Sequence, residues 1–197
     1  NKSKIIPIGF NFPSQLSTKY SNNIIHIGYI CRYYSVKKIN DYFHIAKYIN
    51  SRYNNIEFYL IGGKEEDPNY YEVKNSCPSF IKCVDFTLDI ENYYKLLDIY
   101  VSTSESESFG MTIIEAMSYG LPVLSTDLPT IRHFITSGEN GFLFKIGDIK
   151  TACNYLELLI NNTNLRKRMG SNNIEKAKAY SINKVGLEYL KIYNDEM

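Results

Sequence analysis

Residues 102–124 read STSESESFGMTIIEAMSYGLPVL, and the succession of textures in this stretch decides the fold. An apolar run, 99–101, ends where it begins. A polar loop follows, carrying Glu105 and Glu107. Phe109 and Gly110 then open a run of helical spacing over 112–119, which Gly120 is suited to close in the left-handed conformation. The apolar run 121–125 comes next. Strand, loop, helix, tight turn and strand make a βαβ unit, whose strands lie parallel.

The same alternation extends outward in both directions. Strands are expected at 24–30, 56–61, 80–84 and 141–144, with Gly62-Gly63 stopping the second. Helical spacing appears at 40–52, 69–75 (ended by Pro78), 90–97 and, briefly, 130–135. From 149 onward the pattern is helical throughout: 149–161, 165–180 and 183–194. The fold class is therefore α/β: a Rossmann-like parallel sheet with helices on both faces and a helical C-terminal tail. Ligands of such sheets sit beyond the carboxyl ends of the strands. The loops to watch are 31–38, 62–67, 85–89, 102–111 and 126–129.

The opening stretch also carries chemistry. A helix beginning near Met111 presents unpaired amides and a partial positive charge, which favour an anion such as phosphate. Gly110 allows close backbone approach. Glu115 lies about one turn in, where a carboxylate can accept two hydrogen bonds from a ribose diol. Glu107, on the loop, can accept from a sugar hydroxyl. Taken singly, each glutamate reads as a solvated surface residue; the pattern as a whole does not. E-x-F-G, four residues, then E-A-M-x-x-G-x-P-V resembles the signature of retaining GT-B glycosyltransferases of family 4, with its paired glutamates at Glu107 and Glu115.

Other segments agree with that resemblance in order and spacing. The family carries an Arg and, five positions later, a Lys in the loop after the first strand, here Arg32 and Lys37 in CRYYSVKK. Lys38 is the rival for the second role. Two such cations would hold a diphosphate, Arg bidentately and Lys as a point charge. IEFYLIGG resembles the second strand and its glycine turn, although Gly62-Gly63 alone lacks both the dinucleotide and the P-loop fingerprints. Residues 81–86 align with the stretch that lies against the base, which puts Val84 there. Asn140-Gly141-Phe142-Leu143 matches an N-G-x-L turn, and residues 5–12 resemble an interdomain linker. Departures are Asp85, Ser108, Pro129-Thr130 and His133, all where fine positioning of the sugar is at stake.

The resemblance implies the donor-binding, C-terminal half of a GT-B enzyme. Residues 1–13 would be linker, 14–182 the nucleotide-sugar-binding domain and 183–197 a terminal helix, with an N-terminal acceptor domain lying outside this chain. It implies retaining transfer of a hexosyl or N-acetylhexosaminyl group from a UDP-sugar, N-acetylhexosamine favoured, to a lipid-linked or saccharide acceptor of O-antigen or capsule synthesis. Glu107, Arg32 and Lys37 would serve catalysis. Glu115, Phe109, Gly110, Met111, Thr112 and Val84 would hold the donor. No cofactor or metal is expected. The rival readings are a non-catalytic nucleotide-sugar-binding domain and a GT-B nucleotide-sugar epimerase.

Composition bounds the rest. A chain of 197 residues, 44% hydrophobic and 22% charged, can bury a core of its own. A net charge of +1 gives no basic footprint for nucleic acid. Cys31, Cys77, Cys83 and Cys153 lack the close spacing of a zinc or redox motif and read as reduced structural thiols, which fits the cytoplasm. His26, His44 and His133 are isolated, and Ser104 and Ser106 lack a nucleophile elbow. Tyr33-Tyr34 could stack on a base, though packing is favoured. No run approaches a membrane span; a place at the inner face of the cytoplasmic membrane, by peripheral association of the full-length protein, is left open.

Overall fold

Six parallel strands pair in the order β3-β2-β1-β4-β5-β6 in this computed structural model, which describes residues 7–13 and 23–195. They are β1 (Ile25–Ile30), β2 (Ile56–Gly63), β3 (Ile81–Asp85), β4 (Ile99–Ser102), β5 (Val123–Thr126) and β6 (Gly141–Phe144). The helices are α1 (Ile39–Asn50), α2 (Tyr70–Ser76), α3 (Ile90–Leu96), α4 (Met111–Ser118), α5 (Ile149–Asn161), α6 (Thr163–Ala177) and α7 (Ile182–Asp195). This is the Rossmann-like, doubly wound arrangement expected from the alternating pattern. Every residue of β4 and β5 is buried. Successive side chains of a strand point to opposite faces, so both faces of the sheet centre must be covered.

The strand order decides where a ligand can sit. The chain leaves β1 toward β2 on one side, and β4 lies on β1's other side, with Ile27 opposite Ile99 and Gly28 opposite Tyr100. The crossovers diverge there, opening a crevice beyond the carboxyl ends of β1 and β4. The loops that follow those two strands, 31–38 and 103–110, meet in it.

Several boundaries differ from the sequence expectation. Strand β2 continues through Gly62 and Gly63 instead of stopping before them, and its register against β3 shifts there. The reason is steric. A Cβ on Gly62 would lie 2.8 Å from the Cys31 carbonyl oxygen, and one on Gly63 would lie 2.2 Å from the Tyr33 ring. The glycines let β2 run close under the loop after β1. The short helix expected at 130–135 is a 3-10 turn, Ile131–His133, and a second 3-10 turn, Ser35–Lys37, lies in the loop after β1. In the linker region, residues 1–6 lie outside the described residues. Phe10 is docked: its amide donates to the Tyr180 carbonyl at 3.0 Å, and its carbonyl accepts from Ile182 at 2.8 Å. Among the described residues no helix is long and apolar enough to cross a membrane.

Candidate active site

The loop after β1 is pinned from below. The Lys37 carbonyl accepts from the Tyr29 and Thr103 hydroxyls, each at 3.0 Å, and Thr103 also reaches the Lys38 carbonyl at 3.0 Å. Lys38 then takes the left-handed conformation (φ 47°) that starts α1. This turn sends the two lysines apart. The Lys37 ammonium lies 2.7 Å from Glu107 Oε1, with side chains 19% and 13% exposed; Lys38 pairs with Glu105 at 2.9 Å and is 41% exposed. Glu107 also accepts from the Ser104 hydroxyl at 2.7 Å, and Ser104 Oγ lies 2.7 Å from Tyr29 OH. Lys37 and Glu107, seventy residues apart in sequence, thus share one network because β1 and β4 are neighbours.

Phe109 faces inward. Its ring packs edge-on against Phe134 at 5.4 Å and Tyr180 at 6.2 Å, anchoring the loop. Gly110 follows at φ 85°, ψ 41°, and α4 begins with no side-chain cap. The leading amides of Met111 and Thr112, which precede any intrahelical acceptor, are therefore placed for an anion. The Thr112 hydroxyl is held by Tyr100 at 2.8 Å.

Glu115 stands one turn in, half-buried, and accepts from the Tyr94 hydroxyl at 2.7 Å. Tyr94 is stacked on Tyr119 at 5.3 Å. Burial raises the pKa of the Glu115 carboxyl above its ordinary value, and the Tyr94 hydrogen bond opposes that shift. Burial drives the Tyr29, Tyr94 and Tyr100 phenols far above their usual range, so all three remain neutral donors.

Arg32, Thr112 and Glu115 share the wall of one cleft of about 310 Å³, which Ile30, Gly62, Phe86 and Leu88 complete on its apolar side. That volume is at the lower end for small-molecule sites. Lys37 and Glu107, paired with each other, are not part of its wall. Val84 does not reach it. Its side chain packs on the core, and Phe86, Thr87 and Leu88, just past the end of β3, form the wall instead. Asp67 is a participant that sequence reading passed over. Arg32 donates to Asp67 Oδ1 through Nε at 2.7 Å and through Nη2, and Oδ2 accepts from the Tyr33 and Lys64 amides at 2.8 and 2.9 Å. Burial works against this carboxylate, but Arg32 and the two amides outweigh it and hold its pKa below the usual value. Its only signal was its place at the end of loop 62–67, where it follows Lys64-Glu65-Glu66 and looks solvated. Tyr94 was missed as well, since it reads as one more core residue of an amphipathic helix. Among the described residues no group of His, Cys, Asp and Glu could hold a metal ion.

A doubly wound parallel sheet with a cation, a helix start and a carboxylate around a cleft at its switch point places the chain in the Rossmann-like α/β class. The family model for glycosyl transferases group 1 matches residues 17–176, and the chain belongs to that family. An uncharacterised glycosyltransferase of Haemophilus influenzae is 25% identical over 175 residues, 87% of this chain and 49% of that protein. The capsular polysaccharide biosynthesis glycosyltransferase CapM of Staphylococcus aureus is 28% identical over 166 residues, 81% of this chain and 43% of the relative. The chain thus spans about half the length of these curated relatives, or less. Among solved structures, a sucrose-phosphate synthase of Thermosynechococcus elongatus superposes with TM-score 0.84 at 18% identity, over 98% of this chain and 52% of the other. The S. aureus protein TarM, solved as a mutant in complex with fondaparinux, alpha-GlcNAc-glycerol and UDP, gives 0.77 at 23%, over 94% and 37%.

Proposed function

We propose that this domain binds the nucleoside diphosphate of a UDP-sugar and serves retaining transfer of the sugar, an N-acetylhexosamine ahead of a hexose, to a lipid-linked or saccharide acceptor held by a separate domain. The observation that carries the reading is the single cleft shared by Arg32, the uncapped start of α4 and Glu115. UDP in the TarM complex supports the nucleotide. The name of CapM supports a surface polysaccharide as the product. The full-length protein would then work at the cytoplasmic face of the membrane.

In this reading Glu115 accepts from the ribose hydroxyls, while Arg32, Lys37 and the Met111 and Thr112 amides face the diphosphate. Glu107 and the backbone from Phe109 to Met111 orient the sugar, and the Phe86–Leu88 edge covers the base in place of Val84. As the bond from the anomeric carbon to the phosphate oxygen breaks, its electron pair goes to the diphosphate. The two cations and the helix start then stabilise the growing charge without a metal. The acceptor hydroxyl adds to the anomeric carbon on the same face and passes its proton to the departing phosphate. Calorimetry with UDP tests the donor half. Glu115→Ala should weaken binding by about 1–3 kcal/mol through lost charged hydrogen bonds. Glu107→Gln, which removes the ion pair with Lys37 but leaves an amide oxygen to accept from Ser104, should not weaken it, because Glu107 is assigned to the sugar. Equal affinity of wild type and Glu115→Ala would remove the ribose role.

A further inference from the structure

Asp67 has a fully buried side chain, and its four hydrogen bonds divide cleanly between its two oxygens. Oδ2 takes one amide from the loop after β1 and one from the loop after β2, those of Tyr33 and Lys64. The backbone of two loops therefore sets the position of the carboxylate. Oδ1 is left to Arg32, which it grips along the Nε–Nη2 edge. A guanidinium has five N–H groups in a rigid plane. Two are committed to Asp67, which leaves the outer Nη1–Nη2 edge pointing away from it. Arg32 lines the cleft and its side chain is 38% exposed, which puts that edge within reach of a ligand.

We propose that Asp67 is a positioning residue for the donor: it holds the Arg32 guanidinium in one orientation so that its outer edge meets the diphosphate. The inference rests on the donor reading above. Asp67 itself touches no substrate. Its negative charge offsets part of the long-range pull of Arg32 on an anion, so what Arg32 contributes is direction: a planar fork fixed before the ligand arrives. A cation without that fork cannot replace it.

The test is calorimetry of UDP and uridine binding to wild type, Asp67→Asn, Arg32→Lys, Arg32→Ala and the Asp67→Asn/Arg32→Ala double variant. Asp67→Asn should reduce the preference for UDP over uridine by about fivefold or more while uridine affinity holds, because only the phosphate contact depends on Arg32. Arg32→Lys should lose preference to a similar extent despite its retained charge. In the Arg32→Ala background, Asp67→Asn should change the preference by less than about twofold, as expected if the two act as a unit. A full preference in Asp67→Asn, or an equal loss in both backgrounds, would overturn the proposal. Should Asp67→Asn fail to fold, Arg32→Lys decides alone, since it leaves both backbone bonds of Asp67 in place; an undiminished preference there also overturns it. A wild type that binds UDP no better than uridine would instead overturn the donor reading, and this inference with it.

Discussion

Glu115 and Asp67 are both carboxylates sheltered from water, and their surroundings push them in opposite directions. Burial dominates at Glu115 and raises its pKa, whereas Arg32 and two amides outweigh burial at Asp67 and lower it. The signs of the consequences differ. Asp67 contributes stability above its unfolded value and loses it as pH falls through the depressed one; Glu115 ionises more easily unfolded, so its burden on the fold grows as pH rises toward its raised value. In the proposed donor reading, binding follows the ionised form of Glu115, the better acceptor for a ribose diol. Uridine affinity should fall as the pH is lowered from neutrality into the acid range where the raised Glu115 carboxyl takes up its proton, and Glu115→Gln should bind more weakly with a flat profile. Uridine is the right probe because it has no phosphate to titrate over that range. A flat wild-type profile in a calorimetric pH series would sink the ribose contact. Sequence reading singled out Glu115 because the motif that carries it is contiguous, running from Glu107 to Val123. It could not show that Lys37 and Glu107 touch, since nothing local links residues seventy positions apart.

Helix α4 depends on how it starts. At φ 85° Gly110 occupies a region that side chains rarely adopt, and a Cβ there would lie 2.9 Å from Ile131 Cδ1. The contact is with a flexible side-chain end, so the backbone conformation is the larger obstacle. Gly110→Ala should destabilise the fold by about 1–3 kcal/mol in denaturant titration and should also weaken UDP binding, as the leading amides of α4 turn away. Unchanged stability would show that the left-handed start is dispensable. Elements were legible wherever periodicity ran over a full strand or helix, as in α5, which Asp148 caps through the Thr151 amide at 3.1 Å. They were less legible where tertiary fit set the boundary. Gly62-Gly63 reads as a stop, yet the strand passes through because those two residues lie under Tyr33 and Cys31.

Across the whole molecule, the C-terminal helices are tied to the sheet by two buried amides. Asn173 on α6 donates to the carbonyls of Leu121 and Asn140, each at 2.7 Å, and accepts from Asn140 Nδ2 at 2.7 Å. Asn140 in turn donates to the Phe134 carbonyl and accepts from the Thr136 amide, both at 2.8 Å. The N-G-x-L turn thus joins α6, the approach to β5 and the 3-10 turn that supports Phe109. Asn173→Leu would leave buried carbonyls without a donor and should cost about 2–4 kcal/mol of stability. Being remote from the cleft, it should leave the UDP affinity of the folded protein within about twofold. A melting temperature within a degree of wild type would show that water or repacking replaces the pair.

What the sequence by itself determined was what is written in contiguous runs: the alternation that makes a doubly wound sheet, the glycine and glutamate pattern that opens α4, and the cations of the loop after β1. Backbone propensity and side-chain periodicity act over a few residues, so they can be read in order along the chain. Tertiary structure alone decided the rest. The order β3-β2-β1-β4-β5-β6 brought loop 31–38 against loops 62–67 and 103–110. That meeting paired Lys37 with Glu107 and Lys38 with Glu105, and placed Asp67 under Arg32; the packing of α3 on α4 set Tyr94 on Glu115, and the loop after β3 gave the apolar wall Phe86 and Leu88 in place of Val84. Each of these contacts joins residues distant in sequence, and burial and strand adjacency, which no local pattern encodes, select the partner.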